Sequence, residues 1–192
     1  MSSDDLIALA SDALRGLLQS ALPAGVPVVA GAPEDTGAGL WLPLLRIPEP
    51  AEWRQAPGAG EDPAARRRDL HLRMDYLVAG AADEALQAHA LLGAALHVIT
   101  DQPVLDRNHL APLLSQPHRL TATPASELVL RWRLLDLSLA EQATLWIASA
   151  AAQRAGLFVQ GDVVWRRRPG EWPGEQPGSP VLERHDRMPL QG

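Results

Sequence analysis

Six histidines and no cysteine set the limits of metal chemistry in this chain. Without thiolates, a zinc or iron site would have to be built from histidine and carboxylate ligands alone. His89 and His97 are eight residues apart, which on a helix puts them about 80° apart around the axis and two turns apart along it. No histidine pair has the four-residue spacing with which one helix grips an ion. His71 and Asp75 share a strand face but lie about 13 Å apart along it, too far to chelate together. Asp106-Arg107-Asn108-His109 has the residue types of a catalytic loop. With no GxSxG elbow in the chain to present a nucleophile, it reads as a solvated turn ahead of Leu110. Gly37-Ala38-Gly39 and Gly58-Ala59-Gly60 do not continue into a phosphate-binding helix start and read as linker glycines. The residues therefore predict no catalytic group, no metal and no cofactor. A metal-dependent hydrolase using His109, Asp106 or His71 is the enzyme alternative.

Interface chemistry is better represented. All the basic residues are arginine, the side chain that makes bidentate contacts with carboxylates, although a composition this rich in Ala, Gly and Pro also fits a GC-biased genome. Two arginine triplets stand out, Arg66-Arg67-Arg68 and Arg166-Arg167-Arg168, the second preceded by Trp165. Trp132 and Trp146 fall on expected core faces. Trp41, Trp53 and Trp172 lie in or beside proline-rich segments, where an exposed indole can anchor a partner. The candidate interface residues are thus Trp41, Trp53, Arg66, Arg67, Arg68, Trp165, Arg166, Arg167, Arg168 and Trp172.

At 192 residues the chain has room for one domain with a substantial core. Its net charge of −6 argues against a nucleic-acid backbone as main partner. The opening MSSDDLIALASD has acids where a secretory signal carries basic residues. Apolar runs break well short of the ~20 residues a membrane span needs, and the lack of cysteine allows a reducing compartment.

The elements that must position these groups follow from periodicity. Leu6, Ile7, Ala10, Leu14, Leu17, Leu18 and Ala21 predict a first helix from Ser3 or Asp4 to about Ser20. Strands are expected at Val26–Ala30 and at Gly39–Ile47, where Pro43 requires an edge or a bulge. Pro48–Arg68 is a proline-rich loop. Strand Asp69–Val78 alternates clearly, with Leu72, Met74 and Tyr76 opposite His71, Arg73 and Asp75. A second helix is expected from about Asp83, with an apolar arc wide enough to be buried over most of its circumference and Gly93 at a close contact. Irregular chain leads to strand Glu127–Leu135, with Arg131 and Arg133 on one face. The capping box Ser138-Leu139-Ala140-Glu141 opens a third helix to about Gln153, and Leu157–Arg166 is the fifth strand. Residues 169–192 have the composition of a tail, giving a domain over 1–168 and an appendage after it. The class is α+β, a mixed sheet of about five strands packed with three main helices.

The series of segments resembles a known family. It comprises Leu14-Arg15-Gly16-Leu17-Leu18, the Leu40–Ile47 strand and Leu72–Leu77 (LRMDYL), then Ala88-His89-Ala90-Leu91-Leu92-Gly93 with Leu96, and Pro103-Val104-Leu105. Leu137-Ser138-Leu139-Ala140-Glu141 leading to Leu145-Trp146 completes it. In order and spacing, over residues 4–168, these resemble the cap, or tube-and-sheath terminator, of phage-tail-like contractile injection particles of the antifeeding-prophage and virulence-cassette type. The resemblance implies a tail-terminator-like fold and a structural, non-enzymatic role without cofactor. It further implies a homohexameric ring that ends the inner tube and contractile sheath, its partners being itself and the sheath and tube subunits, with no nucleic acid and no membrane. Assembly would be cytoplasmic, in a particle that can leave the cell. The alternative within the same class is the terminator of a DNA-carrying phage tail.

Overall fold

The computed structural model describes residues 3–31, 37–48, 69–117, 120, 127–149 and 154–166. Helix α1 (Ser3–Ser20) spans the predicted range, and Leu6, Leu9, Ala10, Ala13, Leu14, Leu17 and Leu18 are fully buried along one stripe. After α1 the Gln19 amide ties down the following turn, donating to the Val26 carbonyl and accepting the Val28 N–H.

The strands are β1 (Val28–Val29), β2 (Gly39–Trp41), β3 (Leu44–Arg46), β4 (Asp69–Ala81), β5 (Val104–Asp106), β6 (Glu127–Leu135) and β7 (Gly156–Arg166). They form one sheet in the order β1-β2-β4-β7-β6-β5, with β3 also on β4 beyond β2. Only β1 and β2 are parallel; every other pair is antiparallel. The remaining helices are α2 (Ala85–Asp101), α3 (Arg107–Leu110) and α4 (Leu139–Ser149).

Seven strands replace the five expected, for two local reasons. Gly39–Ile47 divides at Leu42-Pro43, because the proline has no N–H for the ladder. Its carbonyl still accepts the Leu77 N–H at 3.1 Å, so β2 and β3 both stay on β4, and the register shifts between Leu44 and Arg46. Val104–Asp106 was expected to be irregular and instead pairs with Val129–Arg131 on β6. The predicted capping box forms: Glu141 accepts the Ser138 N–H at 2.9 Å, and Ser138 Oγ accepts the Glu141 N–H.

Helix α2 departs from expectation. Glu84, not Asp83, is the N-cap residue, and its side chain makes no capping bond. The helix buries only Leu91, Leu92, Ala95, Val98 and Ile99. Gly93 is exposed, and a Cβ there would meet nothing within 4 Å, so the glycine is not explained by a contact inside this protomer.

Alternate residues of β4, β6 and β7 divide between two faces. Met74, Tyr76, Val78, Leu128, Leu130, Trp132, Val159, Val163 and Trp165 join α1 and α2 in the main core. Leu77, Ala79, Ala81 and Phe158 join Trp41 and Trp146 in a smaller core beneath α4. Gly161 lies opposite Trp132, and a Cβ on it would sit 2.3 Å from Trp132 Cζ3, so the glycine is the space the indole occupies. Trp132 packs edge-on against Tyr76 at 6.2 Å, while its own N–H finds no acceptor among the described residues. The Tyr76 hydroxyl lies 3.0 Å from Ser11 Oγ on α1 and donates to Met74 Sδ at 3.3 Å.

Gly161→Ala is expected to destabilise the fold by about 1–3 kcal/mol through overpacking. Adding Trp132→Leu should make the double variant cost less than the sum of the two singles in a urea-unfolding double-mutant cycle. Burial, opposed by the Ser11 hydrogen bond, pushes the Tyr76 pKa up to about 12. The folded state thus prefers the neutral phenol more than the unfolded chain does. The associated stability is complete below pH 10 and falls away as pH rises from 10 toward 12. Tyr76→Phe should flatten that alkaline decline in a stability profile measured by chemical denaturation.

Candidate functional site

Of the interface residues expected from sequence, two tryptophans are in the cores. Trp41 is 5% exposed and Trp165 4%, which corrects their assignment as surface anchors. Trp41 pairs with Ala79 on β4 and packs in the core beneath α4; Pro43 breaks the strand after it rather than exposing it. Trp165 lies on the α1/α2 side of β7, opposite Leu128 and Leu70. Arg166 is the last residue of β7, paired with Asp69 and Glu127. Trp53, Arg66, Arg67, Arg68, Arg167, Arg168 and Trp172 lie outside the described residues.

The polar loop at Asp106 is a helix cap. Asp106 accepts the N–H groups of Asn108 and His109 and pairs with His109 Nδ1 at 2.8 Å. These bonds, opposed by slight desolvation, hold its carboxyl below the usual range, and the turn they fix seats the fully buried Leu110. A second carboxylate joins distant chain: Asp12 accepts the N–H and hydroxyl of Ser115, both at 2.8 Å, and the Arg15 guanidinium. Burial opposes its charge, but these bonds keep its pKa lowered. Among the described residues no three His, Asp or Glu side chains converge as a metal site, and no helix is long and apolar enough to cross a membrane.

What the register does bring together is a polar ladder on the α4 side of the sheet. Beyond Leu77, Phe158 and Leu135, one rung aligns Asp75, Gln160 and Arg133, and the next aligns Arg73, Asp162 and Arg131. Asp75 and Gln160 are 3% and 5% exposed, and each is met by an arginine, Arg46 on Asp75 and Arg133 on Gln160. Asp75 accepts Gln160 Nε2 at 2.7 Å on one oxygen and Arg46 Nε at 2.6 Å on the other. Gln160 Oε1 in turn accepts Nε and Nη2 of Arg133. On the next rung Arg73 meets Asp162 at 3.0 Å. A cavity of about 290 Å³ opens beside the first rung, lined by Leu45, Arg46, Asp75, Leu145, Phe158 and Glu141. Bonds from Ser138 lower the Glu141 pKa, burial opposes them, and the attraction of Arg46 adds to the lowering.

Two helices present apolar surface outward. On α2, Leu86 is 79% exposed and Leu96 39%, with Ala90 and Gly93 exposed between them. On α4, Leu139 and Ile147 are each 81% exposed, about two turns apart along the axis. The polar faces of the individual strands were legible in the sequence; their joining across three strands was not, and neither was the open face of α2.

The fold and surfaces define an α+β unit with outward apolar helices and a polar sheet face. The Pvc16 N-terminal domain family matches residues 10–177, and the chain belongs to that family. The fold is similar to a solved extracellular contractile injection system component, the PVC sheath/tube terminator in its extended state. That similarity has TM-score 0.54 and 15% identity over 100% of this chain and 66% of the other. It is also similar to the anti-feeding prophage cap, described as a tube terminating cap, with TM-score 0.53 and 14% identity over 88% of this chain and 58% of that one. The chain thus spans less than two thirds of the length of either. A comparison with curated proteins returns no match.

Asp75→Ala is expected to destabilise by about 1–3 kcal/mol, because it leaves the buried Gln160 amide without its acceptor. Arg46→Ala, which takes a largely exposed guanidinium from the other Asp75 oxygen and lets water replace it, should cost under about 1 kcal/mol. Equal losses in thermal unfolding would contradict this ordering.

Proposed function

We propose that the chain is a structural cap that ends the inner tube and contractile sheath of an extracellular contractile injection particle. In this role it acts as a closed homohexameric ring whose partners are further copies of itself and the tube and sheath subunits. The observation that carries this reading is the similarity of fold along the whole chain to a sheath/tube terminator, together with membership of the Pvc16 N-terminal domain family. The reading requires neither a cofactor nor a catalytic residue. The tail from 169 to 192 is proposed as a docking appendage of the domain, assembled in the cytoplasm with the rest of the particle.

A ring needs a lateral surface, and α2 fits one. From Ala85 to Thr100 it carries no Asp, Glu, Lys or Arg, whereas the solvent face of a helix normally carries such residues. Ala90 and Gly93 are small enough to let a neighbour's backbone approach closely, which gives Gly93 a role that the protomer's own packing does not. A head-to-tail contact of this kind closes into a ring when its rotation divides the circle and otherwise runs on as a filament.

Mass photometry of the purified chain should find a species of about six subunits. Leu86→Glu, at a site too exposed to alter the protomer's folding by more than about 0.5 kcal/mol, should return it to monomer with an unchanged far-ultraviolet circular dichroism spectrum. A wild-type chain that stays monomeric at every concentration contradicts the ring. Unimpaired assembly of the variant contradicts the placement of the contact on α2.

A further inference from the structure

Among the described residues the polar ladder carries a charge imbalance. Across its two rungs and the adjoining β3 stand four arginines, Arg46, Arg73, Arg131 and Arg133, against two carboxylates, Asp75 and Asp162. The carboxylates are committed to Arg46 and Arg73. Arg133 has only the neutral Gln160 oxygen as acceptor, and Arg131 has no ion-pair partner among the described residues. Two guanidiniums therefore remain without carboxylates, both exposed, on a chain whose net charge is −6.

Their spacing narrows the ligand. Arg131 and Arg133 are alternate residues of β6 on one face of the sheet, about 7 Å apart along the strand. An extended peptide with carboxylates at alternate positions has the same repeat, so each acid can meet one guanidinium in a bidentate, charge-assisted pair. Arg133 is already oriented by its fork on Gln160, which is itself buried and held by Asp75, so less side-chain freedom is lost on binding. The next rung along, His71, Val164 and Val129, gives an apolar stretch on which such a strand can lie. A single-stranded nucleic acid fits less well, because every Trp, Tyr and Phe ring among the described residues is buried and none is left beside the arginines for bases to stack on.

We propose that this open half of the sheet, centred on Arg131 and Arg133, is a docking surface for an extended acidic polypeptide segment of a partner subunit. The surface lies across the sheet from α2 and so is separate from the ring contact, and it stands whether or not the chain caps a tube.

The test is fluorescence anisotropy with the full chain and labelled peptides of about ten residues carrying Glu at alternate positions, the extended repeat such surfaces read. The acidic peptide should bind at about 50 mM salt and weaken severalfold at about 300 mM. A peptide with Gln in place of Glu should not bind. Arg131→Ala/Arg133→Ala should weaken binding at least tenfold, while Arg15→Ala, on α1 on the other side of the sheet, should leave it unchanged. Circular dichroism melts of both variants guard against misfolding, and the single Arg131→Ala, which removes no hydrogen bond within the fold, is the fallback if the double variant melts early. The proposal is overturned if the acidic peptide fails to bind. It is also overturned if folded Arg131 variants bind it as the wild type does, or if a single-stranded oligonucleotide of the same charge binds more tightly.

Discussion

The pairing of β4 with β7 runs from Asp69 opposite Arg166 to Ala79 opposite Gly156 without an interruption, and β6 extends it on the far side. A sheet has a side-chain period of two, so a slip of one residue in either pairing would exchange the contents of its faces. Tyr76, Val159 and Trp132 would then leave the α1/α2 core, and Asp75, Gln160 and Arg133 would enter it without partners. The observed register avoids that cost and is pinned at one point by shape, where Gly161 leaves the space that the Trp132 ring occupies. The core, the buried Asp75–Gln160 pair and the exposed arginines are three consequences of one alignment.

That alignment also explains what could be read from the sequence. Helix α1, the long strands and the Ser138–Glu141 capping box depend on local spacing, and each is found where the spacing predicts it. The α+β class and the family resemblance rest on the same local signals. The two-sided character of β4 and β6 was equally legible, since Arg73 and Asp75, or Arg131 and Arg133, alternate with apolar residues. Which strand faces which is set by register between segments some 30 to 90 residues apart, as in the bonds of Gln160 to Arg133 and to Asp75, and a single strand's alternation does not encode it. Helix α2 failed for another reason. A helix apolar all round normally reads as buried, but this one has core on one side only, and the other side is apolar surface left open in the protomer. Trp41 and Trp165 failed because nearby prolines and arginines suggested exposure, whereas strand phase placed both indoles inward.

The two open surfaces differ in kind and lie on opposite layers. The α2 face lacks Asp, Glu, Lys and Arg from Ala85 to Thr100 and has small residues, which suits close packing against a further copy of the chain. The arginine face is polar, partly neutralised and rigidly backed, and suits an extended acidic segment that engages through charge and strand geometry. A ring that also ends a polymer needs both types, lateral contacts for closure and axial contacts for the last layer of the polymer. The buried rung bonded to Arg46 and Arg133 lends the second surface its rigidity, since moving either guanidinium would take a donor from the Asp75 carboxylate or the Gln160 amide oxygen.

Termination is the claim on which this account turns, and it is measured most directly by assembling tube and sheath subunits with and without the chain and recording particle lengths by electron microscopy. The account predicts that adding the chain stops growth, giving shorter particles of narrower length distribution with ring density at one end. Length distributions that do not change with added chain, and ends that carry no ring, would contradict it.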